Sequence, residues 1–180
     1  MTSYSPPVQF PSKAIMINSA DRTSGTSTKW SYDFGSELED PTFDSCFIVF
    51  KDLFLVGTGK FLIANVLEEV QVRSSIAMGS GDIIQTDGKR DLLGYAFYIN
   101  PTSYTPGEPA YPIQPVISAK QLMFSTPIPR GVQTFEIVQS SLGLVADLGT
   151  KNTMVHLQIY YYNKREAQEA YKFVSKMTFG

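Results

Sequence analysis

From Lys13 onward the apolar residues of this chain come in short runs, rich in Val, Ile, Phe and Tyr and cut off every few positions by Gly, Pro, Asn, Asp or Ser. Runs of that spacing are too short for helices, and branched or aromatic side chains fit the half-buried pleat of a strand. Eight such segments stand out, near 14–18, 29–34, 46–56, 61–73, 94–99, 120–125, 132–139 and 154–162. Turn chemistry separates them: Asp40-Pro41, Gly57-Thr58-Gly59, Gly79-Ser80-Gly81-Asp82, Asp87-Gly88 and Pro129-Arg130-Gly131. Period-two alternation is clearest from Met154 to Tyr162. It puts Val155, Leu157, Ile159 and Tyr161 on a core face, with Met154, His156, Gln158, Tyr160 and Tyr162 on the other.

Eight strands predict an all-β fold arranged as a two-sheet sandwich, and 180 residues accommodate one core of ordinary size. The expected organisation is an extended N-terminal arm at 1–12, stiffened by Pro6, Pro7 and Pro11, a sandwich domain at 13–163, and a C-terminal extension at 164–180. In that extension Ala167, Ala170, Tyr171 and Val174 recur at i, i+3, i+4 and i+7, with charged residues around the rest of the turn, which predicts a short amphipathic helix. Both ends are expected to order by touching neighbouring subunits. Residues 64–70 contain helix-favouring Leu, Glu and Ala, but the continuation Val70-Gln71-Val72-Arg73 favours a strand. Between Pro101 and Pro115 prolines are too dense for a central strand, so a long surface loop is expected.

Charge and chemistry narrow the function. Fifteen Lys and Arg against 17 Asp and Glu give a net charge of -2, without the cationic footprint that strong nucleic-acid binding requires. No stretch approaches the ~18 apolar residues of a membrane span, and the first residues lack the pattern of a secretion signal. The single cysteine, Cys46, lies in the apolar run Cys46 to Phe50 and is expected to be a buried thiol. One His and one Cys cannot assemble the ligand clusters of zinc or non-haem iron sites, so neither metal nor cofactor is expected. Gly57-Thr58-Gly59-Lys60-Phe61 lacks the first glycine of a phosphate loop and carries Phe61 where Ser or Thr is required, so a hairpin turn is expected. Glu68 and Glu69 are adjacent, which in a strand sends their carboxylates to opposite faces and defeats an acid/base pair. His156, mid-strand among aromatics, fits a packed or rim histidine better than a general base. Carboxylate sites assembled from distant loops stay open, but no catalytic residue is identified and a non-enzymatic role is expected.

Ile15-Met16-Ile17-Asn18-Ser19-Ala20-Asp21-Arg22-Thr23-Ser24-Gly25-Thr26 reads locally as a strand that ends at Asn18, a turn capped by polar side chains, and a glycine that permits a reversal before Trp30. The same string resembles the N-terminal signature of single-jelly-roll penton or minor capsid proteins from virophages, polinton-like viruses and relatives of the giant viruses. There an apolar strand runs into Asn-Ser-x-Asp-Arg-x-Ser-Gly-Thr. The order Leu122-Met123-Phe124, Pro127 to Gly131, Thr134 to Val138, Gly143 and the strand Met154 to Tyr162 is similar to the closing hairpins of that family.

The resemblance implies a single eight-stranded jelly roll that assembles as a homopentamer, the vertex capsomer of an icosahedral DNA virus. Its neighbours would be the major double-jelly-roll capsid protein and other minor capsid proteins, and its location the virion. Some members carry an inserted outer domain; 180 residues leave no space for one, so a direct receptor-binding role is not expected. Asn18, Ser19, Asp21, Arg22 and Gly25 are candidate intersubunit contacts on this basis. For Asp21 and Arg22 a turn-stabilising ion pair or solvated charges compete with that role. The Pro101–Pro115 loop and Tyr160-Tyr161-Tyr162 are candidate interface, although tyrosines are also ordinary at sandwich edges. The alternatives are another minor capsid or cement protein, and a lectin-like ligand-binding sandwich whose groove Tyr95, Tyr98, Tyr104 and Tyr111 would line. A cupin-type enzyme is disfavoured by the single histidine.

Overall fold

The computed structural model describes residues 9–56, 67–77, 92–99, 123–139, 144–145 and 152–179. These form β1 (Ser12–Asn18), β2 (Ser24–Gly25), β3 (Lys29–Asp33), β4 (Ser45–Val56), β5 (Leu67–Ser74), β6 (Leu92–Ile99), β7 (Met123–Pro127), β8 (Val132–Gln139), β9 (Leu144–Val145), β10 (Asn152–Tyr162) and the helix α1 (Ala167–Phe179). Among the described residues eight strands have five residues or more, and each coincides with one of the eight expected segments; β2 and β9 are two-residue ribbons. Residues 61–66 and 120–122, the turns Gly57-Thr58-Gly59, Gly79 to Asp82 and Asp87-Gly88, and the Pro101–Pro115 loop lie outside the described residues.

Taken in chain order, the eight long strands pair first with last: β1 with β10, β3 with β8, β4 with β7 and β5 with β6, all antiparallel. That nesting is one long hairpin of four strand pairs. Rolling it up brings β10 beside β4 and β5 beside β8. One sheet therefore runs β1-β10-β4-β7 and the other β2-β3-β8-β5-β6, with β9 on β8. Two packed sheets from one rolled hairpin are a jelly roll, so the chain is a single all-β jelly-roll sandwich.

The inner faces carry the core. Ile15, Ile17, Cys46, Ile48, Phe50, Leu53, Val155, Leu157 and Ile159 of the first sheet meet Trp30, Val70, Val72, Leu93, Phe135 and Ile137 of the second. Trp30 and Phe135 stack across β3 and β8 with ring centroids 5.5 Å apart and planes within 18°. Cys46 is wholly buried, and that burial pushes its thiol up to about 12. In β4 the inward positions run Cys46, Ile48 and Phe50, then skip to Leu53. The pairing explains the skip: Leu157 faces Phe50 and His156 faces Asp52, leaving Lys51 as the extra residue of a bulge.

The continuous apolar run of β4 also has a cause on the outside. Phe47 and Val49 point away from the sandwich and, with Tyr160, Tyr162 and Phe10, form a second buried cluster under Ala170 and Val174 of α1. A strand covered on both faces loses its alternation. A 3₁₀ turn at Lys164–Glu166 leads into the helix, anchored where the Lys164 amide donates to Asp44 Oδ1 at 3.0 Å.

Three expectations about this region need correction. Ala170 and Val174 face the sheet as expected, but Tyr171 is 56% exposed and Phe173 packs in its place, its ring 5.6 Å from that of Phe10. The C-terminal extension does not wait for a neighbouring subunit; it docks on its own sheet, because the outward aromatics of β4 and β10 supply the apolar surface. For the same reason Tyr160, Tyr161 and Tyr162 are buried within the chain, at 8%, 6% and 2% exposure, and present no free interface.

Candidate functional site

The segment that follows β1 is a rigid corner. Asn18 ends the strand and its Oδ1 accepts from the Ala20 amide at 2.9 Å, capping a 3₁₀ turn over Ser19–Asp21. Ser19 is completely buried, and its Oγ accepts from the Thr153 amide at 2.8 Å, tying the corner to the start of β10. Thr153 Oγ1 in turn donates to the Ser27 carbonyl at 2.9 Å. Arg22 closes the loop: Nη1 donates to the Ser19 carbonyl at 2.7 Å and Nε to the Gly25 carbonyl at 3.1 Å. Gly25 has φ 98°, and a Cβ there would overlap the Lys29 carbonyl oxygen, so both conformation and space demand glycine.

Among the candidate residues, Asn18, Ser19, Arg22 and Gly25 are thus brought into one hydrogen-bonded unit. Asp21 is exposed at its edge, and the guanidinium of Arg22 is directed to two carbonyls rather than to its acidic neighbour. Asp21 acts at a distance: burial first, then Glu37 and, more weakly, Asp21 raise the Tyr32 phenol above its ordinary value.

Beside this corner, β2, β3, β8 and the end of β5 enclose an open groove of about 640 Å³. Ser24, Ser31 and Thr134 offer hydroxyls there, and Lys29 Nζ lies 3.3 Å from Glu136 Oε1 across the β3–β8 pair. Hydroxyls around one ion pair can hydrogen-bond a polar ligand or a neighbouring chain. The signal for this groove was present in the hydroxyl-rich run Thr23 to Thr28, whose role as a wall depends on β8 lying alongside. Of the four tyrosines expected to line a groove, Tyr104 and Tyr111 lie outside the described residues; Tyr95 and Tyr98 belong to β6, and Tyr95 is half-buried there, away from this groove.

Among the described residues, α1 covers the outer face of the first sheet at one end only. Toward the other, His156 of β10 sits opposite Asp52 of β4 and Met16 of β1, its Nδ1 3.4 Å from Asp52 Oδ2. His156 thus stands half-buried on this outer face, beside Asp52. Among the described residues no three His, Cys, Asp or Glu side chains gather in a way that could hold a metal ion, and no helix is long and apolar enough to cross a membrane. Comparison with protein-family models, with curated proteins and with solved structures gives no match.

Proposed function

We propose that the chain is a structural capsid subunit, the penton that fills the vertices of an icosahedral DNA virus as a ring of five. The observation that carries this reading is a single jelly roll whose first strand runs into the Asn18-to-Gly25 corner, where the resembled capsid family has its signature. In such a ring each subunit offers two different flanks, because a head-to-tail contact closes only by cyclic rotation. A stable contact of that kind buries at least about 1,000 Å². Neighbouring subunits and the major capsid protein are the expected partners, and the virion the expected location. The corner itself serves the fold first, since its polar groups are used internally.

Light scattering after size exclusion tests the proposal: five copies of a 20.0 kDa chain give about 100 kDa, alone or once the major capsid protein is added. A closed dimer or trimer, in solution and in particles, would remove the penton reading.

The groove beside the corner, which joins apolar surface to a few hydroxyls and the Lys29–Glu136 pair, favours a second reading, a lectin-like module. A glycan array distinguishes the two: selective retention of one glycan class that is lost in Thr134→Ala would favour the module over the capsomer.

A further inference from the structure

The exposed end of the first sheet's outer face holds an unusual set of donors. Met16 lies directly opposite His156 in the β1–β10 register, and Met154 precedes His156 by two residues on the same strand. Each is flanked by buried core residues, Ile15 and Ile17, Thr153 and Val155, Val155 and Leu157, so all three side chains stand on the outer face. Directly opposite residues bring their Cβ atoms to about 4.5–5.5 Å, and positions two apart on a strand are separated by about 7 Å. Methionine spans such gaps easily, with three rotatable bonds and a polarisable sulfur.

The imidazole is held as metal-binding histidines are held. Asp52 Oδ2, 3.4 Å from His156 Nδ1, favours the proton on that nitrogen and leaves Nε2 with its lone pair directed away from the carboxylate. Met16 is 52% exposed, so the group is open to solvent. Two thioethers and an imidazole are soft to borderline donors, poorly suited to Mg²⁺ or Ca²⁺ and well suited to Cu(I).

We propose that Met16, Met154 and His156, with Asp52 orienting the imidazole, form a surface site for a soft monovalent cation of the Cu(I) and Ag(I) class. Binding is simple coordination by three lone pairs, without electron transfer. It stands on the register and the His156–Asp52 contact, and is independent of the capsid reading.

The full chain is titrated with Cu(I) under anaerobic conditions against bicinchoninate, and with Ag(I) by NMR. The single histidine gives one imidazole to follow, and Met16→Leu and Met154→Leu assign the two methyl signals among six methionines. The expected result is one equivalent bound, with the His156 Nε2 and both methyl resonances shifted. His156→Asn should abolish binding, each Met→Leu variant should weaken it tenfold or more, and Asp52→Asn should weaken it by about tenfold, all with unchanged circular dichroism. Failure to compete with bicinchoninate would overturn the site. Uptake that leaves the imidazole and methyl signals unmoved would overturn it too, placing the metal on the Cys46 thiol, and so would full affinity in both methionine variants.

Discussion

The ring of Phe50 lies flat against the Cα of Gly94, so that a Cβ on residue 94 would overlap the ring atoms Cγ, Cδ1 and Cδ2. Phe50 belongs to β4 in one sheet and Gly94 to β6 in the other, which makes this contact a gauge of the spacing between them. Gly94→Ala should overpack the interior and lower the unfolding free energy by about 1–3 kcal/mol. Adding Phe50→Leu should restore part of the loss in urea unfolding. An unchanged midpoint for Gly94→Ala would show that the sheets do not approach so closely.

The Asn18–Gly25 corner should behave as a folding device. Arg22→Ala removes two charge-assisted hydrogen bonds to carbonyls and is expected to cost about 1–2 kcal/mol at this exposed position. Arg22→Lys should recover little, because an ammonium lacks the fork that reaches both carbonyls. Gly25→Ala should cost at least as much, through its positive φ and the clash with Lys29. Thermal melts give the stabilities and light scattering gives the copy number. A changed copy number at unchanged stability would instead assign Arg22 to an intersubunit contact.

Removing residues 164–180 should uncover Phe47, Val49, Tyr160 and Tyr162. The truncated protein is expected to bind the dye ANS and to melt several degrees lower. Val174→Asp, which places an unpaired charge in that cluster, should reproduce the effect at a cost of about 2–3 kcal/mol. Full stability with weakened assembly alone would return the helix to a purely intersubunit role.

Alkali should destabilise the fold through Cys46. Its thiol ionises near 9.0 in the unfolded chain but only at about 12 when buried. In that window the native state holds a proton that the unfolded state has lost, so stability is complete below pH 9 and falls as the pH rises toward 12. One group contributes a slope of about 1.4 kcal/mol per pH unit. Above pH 10, Tyr160, Tyr161 and Tyr162, raised chiefly by burial, should steepen the decline. Urea unfolding from pH 8 to 10 should show the first part of the loss in the native sequence and not in Cys46→Ala; equal slopes would refute the assignment.

The strands were legible in the sequence because alternation and turn chemistry are local: Val155, Leu157 and Ile159 declare their face without reference to any partner. Which strands adjoin was not, since the partner of Ile17 is Val155, and nothing near Ile17 announces it. The helix could be found from Ala170 and Val174, yet choosing Phe173 over Tyr171 required knowledge of the aromatic surface it meets. At the corner the sequence offered Asp21 as the obvious partner of Arg22. Only the path of the chain reveals that two carbonyls lie within reach. The thioether and imidazole set was invisible for the same reason, because Met16 joins Met154 and His156 only through the pairing of β1 with β10.

The position of β10, between β1 and β4 in the middle of its sheet, has a consequence in time. Of the described strands a ribosome releases β10 last, so until residue 162 emerges the first sheet has a gap at its centre. Until then the edges of β1 and β4 that face this gap are open to strands of other chains, the condition under which nascent β-proteins aggregate. No stretch of chain that lacks β10 can close the first sheet, so the sandwich is completed only after Tyr162 has left the ribosome.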